Sequence, residues 1–441
     1  MRIIGIRKIP RCSPSGRLLS RTLILLLMTL TALPGSGDQQ GKPKKISRKT
    51  ARLEARLQAL MTEYTVLGMT CVVVRNNRIV YSGAYGYADV ENKRPMTTDT
   101  VFRIASMSKP FAGTALMQLC ERGKCHLDDD VSRHLGFTLR NPRHPGKVIR
   151  LRHLMTHTSG LTDHGGYNDF LKASYGDNPP PITEILVPGG RFFSRASWKT
   201  SPPGRKFEYS NLGCGVAATI VEKISVERYD RYCARHIFTP LGMTASLNPA
   251  EMPHPEKFAV LYDYLEDQDI FEPAIDNYSV HPPAKRPPPK HPPGYNGSIH
   301  SPQGGVRCSA PDLAKFMIAH MNDGQYGKVR ILKKKTARLM RRVHWSGFQS
   351  GRLYRKTGLF LHITGKLIRK KTLAGHGGRA YGFLGLMYFD RKSRSGIIIF
   401  MNGGNFFRDE KGRRGRRKRM FHRIEERLYR TLYFSCIRDR L

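Results

Sequence analysis

Strand-forming residues gather near both ends of this chain while helical patterns fill its middle, and few architectures accommodate that order. Two β-rich runs, Met69–Val74 and Arg78–Tyr85, meet at Asn76-Asn77, a dipeptide suited to the left-handed backbone of a tight hairpin. Ahead of them Leu53, Leu57, Leu60 and Met61 recur at helical spacing, which predicts a helix over Ala51–Tyr64. From Phe111 to about Leu313 the pattern is mainly helical and irregular, with clear helices over Leu212–Ile224 and Pro311–Asn322. Strand character returns over Arg355–Leu361, Gly382–Phe389 and Ile397–Asn402, and a last helical pattern covers Met420–Phe434. The fold expected is α/β (α+β): an antiparallel sheet built from both chain ends, flanked by helices, with a mainly helical region inserted. Clustered prolines make residues 273–294 an exposed polyproline-like insert, since no packed helix or central strand tolerates them.

Charge and the N-terminus bear on address and partners. Lys+Arg number 75 against 34 Asp+Glu, a formal net charge of +41. The excess concentrates in Lys333-Lys334-Lys335, Arg369-Lys370-Lys371 and the run Lys411 to Arg419. Such a surface suits an anionic membrane or cell-wall polymer. Zinc-finger spacing and RNA-binding aromatic motifs are both missing, so no specific nucleic acid is expected as a partner. Residues 1–37 read as a secretory signal peptide: a basic leader, an apolar run from Thr22 to Leu33, and small residues ending at Gly37. Residues 38–50 read as a basic linker, and 51–435 as one domain that is secreted or periplasmic. An uncleaved leader serving as a membrane anchor is the alternative. Of the seven cysteines beyond the leader, Cys120 and Cys125 flank a Gly-containing turn and could pair; the rest read as buried apolar residues.

Three stretches carry chemistry. Ser106-Met107-Ser108-Lys109 stands just before a helical run from Phe111 to Cys120. If Ser106 opens that helix, the Lys109 amine lies one turn on, near a hydroxyl that needs a base to become a nucleophile. Pro202-Pro203-Gly204 then delivers Tyr209-Ser210-Asn211 to the front of the Leu212 helix. A phenol beside an ammonium group is a candidate general base, and the Asn211 amide can accept from Lys109 while donating to a substrate carbonyl. Gly375-His376-Gly377-Gly378-Arg379 reads as a Gly-rich bend ahead of a strand, where backbone N–H groups can face a developing oxyanion. His153, His157 and His164 lack the partners of a metal site, and His157 is expected to pack and hydrogen-bond locally. Asp128-Asp129-Asp130 reads as turn chemistry, and no Gly-x-Ser-x-Gly elbow occurs.

In this order, Ser-x-x-Lys, Tyr-x-Asn and a late His-x-Gly resemble the serine β-lactamase and penicillin-binding-protein superfamily, nearest its class C and esterase-like branch. Gly86-Tyr87-Ala88-Asp89, Leu154 to Leu161 and Gly304-Gly305-Val306 agree with it. The resemblance implies a β-lactamase/DD-peptidase-like fold and a serine hydrolase needing no metal or cofactor, exported if the leader is read as a signal peptide. Its substrate would be a small molecule or peptide: a β-lactam, a D-amino-acid peptide or a carboxylic ester. Ser106 would be acylated, Lys109 and Tyr209 would share the proton, and Asn211, His376, Gly378 and Arg379 would bind substrate. The N–H groups of Ser106 and Arg379 would hold the oxyanion. His376 stands where many members carry Lys, which weakens the case for a substrate carboxylate. Turnover is expected to rise as His376 loses its proton, between about pH 5 and 8. The competing expectation is a non-catalytic member serving as a basic binding or scaffold protein.

Overall fold

The computed structural model describes residues 47–278, 283, 291–349, 353–406 and 420–439. The leader, most of the linker, Pro282, residues 284–290 and the run Lys411 to Arg419 lie outside the described residues. Helix α1, Arg48–Glu63, takes in the last residues assigned to the linker, because Ser47 caps it by accepting from Thr50 N–H at 3.1 Å. Strands β1 (Gly68–Arg75) and β2 (Arg78–Asp89) follow, with Asn76 and Asn77 at φ 50° and 62° in the hairpin turn.

The second half of the sheet comes from the far end of the chain. Strands Trp345–Gln349, Leu353–Thr357, His362–Thr364, Leu373–Ala380, Phe383–Asp390 and Ser395–Met401 pair successively antiparallel. Ser395–Met401 then pairs antiparallel with β1, Val72 opposite Ile398, and joins the two chain ends into one sheet.

Alternation along the strands sorts side chains to two cores. Val72, Val74, Ile398 and Phe400 face helices α2 (Lys109–Glu121), α3 (Asn211–Ser225) and α4 (Ala310–Met321). Met69, Cys71, Val73, Ile397 and Ile399 face α1 and the last helix, α5 (Arg423–Leu432). Leu57 and Leu428 are fully buried there, each contributing roughly 1.5–3 kcal/mol of transfer free energy. The antiparallel sheet with helices on both faces is the fold class expected.

Three local expectations need correction. Residues 261–275 form a hairpin, β3 (Leu261–Leu265) with β4 (Ile270–Ile275), inside the stretch read as helical and irregular. Pro273 therefore lies in a strand, not in the proline-rich loop, tolerated because this two-stranded ribbon has no inner strand. The strand expected over Arg355–Leu361 stops at Thr357; Phe360 turns at φ 48° before His362 begins the next. The glycine-rich stretch around His376 is itself a strand, here β5 (Leu373–Ala380), paired with β6 (Phe383–Asp390) across a turn at Tyr381-Gly382. Its glycines serve close approach: a Cβ on Gly375 would sit 1.9 Å from Met387 O, and one on Gly378 2.5 Å from Ile104 O.

Candidate active site

Ser106 lies in a 3₁₀ turn, Ala105–Ser108, that runs directly into α2 at Lys109. The turn is pinned on both sides, with Ile104 N–H donating to Val306 O at 3.0 Å and Val306 N–H to Ser108 Oγ at 3.1 Å. Ala105 is held at φ 46°, a left-handed conformation that a non-glycine residue keeps only when its surroundings enforce it. Ser106 is left half-buried at the surface of the turn, while Lys109 is fully buried beneath it.

The Lys109 amine reaches three acceptors. It lies 3.1 Å from Ser106 Oγ, 2.7 Å from Asn211 Oδ1 and 2.8 Å from the Gln303 carbonyl. As an ammonium it donates to all three. Once deprotonated it can still serve both carbonyl oxygens and turn its lone pair to the Ser106 hydroxyl. Nζ also lies 4.7 Å from the centroid of the Tyr209 ring. Hydroxyl, amine and phenol, from segments about a hundred residues apart, thus share one crevice.

Two residues outside the three motifs set this geometry. Asp163 accepts from Asn211 Nδ2 at 2.8 Å, from Asn211 N–H at 2.7 Å and from Leu212 N–H at 3.0 Å, which fixes the amide and the start of α3 together. His157 stacks on Tyr209 with ring centroids 4.5 Å apart, and its Nδ1 accepts from Ser210 N–H at 3.2 Å. Burial, and then the nearby Lys109, hold His157 well below the ordinary imidazole range, so it meets the phenol as a neutral ring.

His376 projects from β5 toward the same crevice, 6.3 Å from Tyr209 between ring centroids and 4.3 Å from the stacked ring of His362. It is 1% exposed, and its Nδ1–H donates to Gly377 O at 2.6 Å. Burial first, and then the Lys109 charge, lower its pKa to about 3. The ring is therefore neutral across the range in which its titration was expected to govern turnover. Gly378 brings β5 against the Ile104 carbonyl beside the Ser106 turn, and Arg379 is exposed at the strand's end, its charge interacting with Asp263 on β3. A cleft of about 770 Å³ opens there, between Asp263–Gln268 and Arg379–Phe383.

A family model described as Beta-lactamase matches residues 53–419. The chain belongs to the beta-lactamase family. Within that family it is similar to penicillin-binding protein 4* of Bacillus subtilis (strain 168), 27% identical over 241 residues, which are 53% of this chain and 51% of that protein. The chain thus spans about half the length of that curated relative. Among solved structures, the D-amino acid amidase of Ochrobactrum anthropi SV3 with L-phenylalanine amide superposes with a TM-score of 0.64 at 23% identity, over 88% of this chain and all of that one. EstCE1, a hydrolase with promiscuous acyltransferase activity, gives 0.63 at 22% identity, over 87% of this chain and 98% of its own. In this beta-lactamase-family chain, Ser106 and Asn211 meet at the Lys109 amine with the Tyr209 ring against it, His376 and Gly378 line the neighbouring strand, and Arg379 points away to the cleft. Asp163, Gln303 and His362 carried no motif; the Asp163-His164-Gly165 turn offered only a generic capping signal.

Proposed function

We propose that this protein is an exported serine hydrolase that cleaves an ester or amide through an acyl-enzyme on Ser106. One observation carries the proposal: the Lys109 amine sits 3.1 Å from Ser106 Oγ while Asn211 Oδ1 and Gln303 O hold it from behind. In acylation Ser106 Oγ attacks the carbonyl carbon, its proton passes to the Lys109–Tyr209 pair, and the same pair returns a proton to the leaving group. A water then repeats the attack on the acyl carbonyl. Backbone N–H groups at Ser106 and on β5 face the oxygen on which negative charge develops.

The electrostatics favour a neutral or amine-bearing substrate over one with a free carboxylate. His376 offers an uncharged ring where a cation would be needed. The amidase neighbour acts on a D-amino acid amide by its name, which is consistent with that choice. Export rests on residues 1–37 alone. A fluorophosphonate probe should label the wild-type chain at Ser106 and leave Ser106→Ala unmarked; labelling that persists in the variant counts against the proposal. On a panel of aryl esters, D-amino-acid amides and β-lactams, the first two should turn over faster, and preferential β-lactam hydrolysis would reverse the substrate assignment.

A further inference from the structure

Helix α2 begins with Lys109 and ends beside a second pair of reactive groups. The Cys120 Sγ on its last turn lies 2.9 Å from the Cys125 Sγ, closer than unbonded sulfurs pack. The chain between them closes tightly: Gly123 N–H donates to Cys120 O and Lys124 N–H to Leu119 O, both at 3.1 Å. Gly123 takes φ 71°, which reverses the chain and returns Cys125 to the helix it has just left. Cys125 is 2% exposed, whereas Cys120 is only partly buried and can be reached from solvent. The other described cysteines, Cys71, Cys214, Cys233, Cys308 and Cys436, are all buried.

We infer that Cys120 and Cys125 are a redox site that closes to a disulfide when the protein meets a small oxidised disulfide, and that this bond clamps the helix carrying the catalytic lysine. Bringing the sulfurs to bonding distance of about 2.05 Å takes less than about 1 Å of side-chain movement. The Cys120 thiolate attacks one sulfur of the oxidant and releases the first small thiol, leaving a mixed disulfide. The Cys125 thiolate then displaces the second small thiol and forms the internal bond. Two protein thiols are oxidised by two electrons, one oxidant disulfide is reduced to two thiols, and the two protons end on those thiols. Attack starts at Cys120, because the Cys125 thiol, hydrogen-bonded to its neighbour and buried, is held above its usual range.

The consequence is mechanical. A residue just beyond Cys125 reaches the segment that leads to the opposite side of the crevice: Asp128 pairs with Arg152 at 2.5 Å. Arg152 belongs to the short helix Leu151–Met155, two residues before His157, whose ring lies on Tyr209. A bond between Cys120 and Cys125 therefore ties the lysine helix to the segment that backs the tyrosine.

Trypsin supplies the test, because Arg122 and Lys124 both lie between the two cysteines. The folded full chain is incubated with oxidised glutathione, quenched with acid, alkylated in denaturant and digested. The Cys120 and Cys125 peptides should migrate as one cross-linked species that separates on reduction, and the oxidised chain should melt about 2–4 °C above the reduced one. Cys120→Ser and Cys125→Ser should each abolish both effects. Recovery of both cysteines as alkylated thiols, or glutathione remaining on Cys120, overturns the inference. None of these readouts depends on hydrolysis.

Discussion

The carboxylate of Asp163 accepts from the side-chain amide and the main-chain N–H of Asn211, and that same side chain holds Lys109 through Oδ1. Removing the carboxylate leaves two helix-start N–H groups unpaired and frees the amide to rotate from the amine. Asp163→Ala should cost about 2–3 kcal/mol of stability and slow acylation at least about ten-fold. Urea midpoints and single-turnover acylation measure the two separately; lost stability with unchanged acylation would make Asp163 a cap and nothing more. No motif marks this residue, since its partners are distant in sequence and an Asp-His-Gly stretch looks like any turn. Ser106, Lys109, Tyr209 and Asn211 were legible because two short motifs each put their groups at fixed local spacing. His376 was legible as a position but not as a charge state. Its neutrality comes from burial between β5, His362 and Tyr209, which no local pattern encodes.

Among the elements, β5 departs furthest from its sequence signal. Gly375, Gly377 and Gly378 weaken strand propensity, so the stretch reads as a bend. In the sheet the missing side chains let β5 approach both β6 and the turn bearing Ser106. Gly378→Ala places a methyl 2.5 Å from Ile104 O, so strand or turn must give way. Its expected cost is about 1–3 kcal/mol in stability with a fall in kcat of about a hundred-fold, because the oxyanion donors and the nucleophile separate. Thermal melts and steady-state kinetics would show it; wild-type kcat in this variant would mean that β5 does not serve the oxyanion. Helices α1 and α5 are the contrary case. Leu53, Leu57 and Leu60, and Ile424, Leu428 and Leu432, repeat at helical spacing and are buried as that spacing requires. The β3–β4 hairpin was missed because its two strands are short and one contains proline.

Over the whole molecule, a chain of formal net charge +41 buries several uncharged histidines. His376 and His320 have pKa values lowered to about 3 from the ordinary 6.5, mainly by burial, and His157 and His362 are lowered too. The unfolded chain binds protons at these rings as pH falls below 6.5, and the folded chain does not. Stability is therefore intact above that pH and lost progressively toward pH 3, by about 1.4 kcal/mol per pH unit for each ring that stays neutral. Urea midpoints between about pH 7 and 4 should fall steeply. The loss should be shallower in His320→Gln, which removes one such ring from the interior against α2; an unchanged slope would show that His320 does not contribute. Turnover, by contrast, should show no step assignable to His376 between about pH 5 and 8.

Sequence alone determined the split sheet, the helices between its halves and the placing of the Ser106 hydroxyl beside the Lys109 amine. Each of these is written in local periodicity or in residues a turn apart, where backbone geometry alone decides which groups meet. Tertiary structure alone decided that Asp163 and Gln303 hold the lysine's surroundings and that His376 is neutral. It also made the glycine-rich stretch a strand. Those outcomes depend on desolvation and on contacts between surfaces that meet only when both ends of the chain close into one sheet, and no short-range pattern records such contacts.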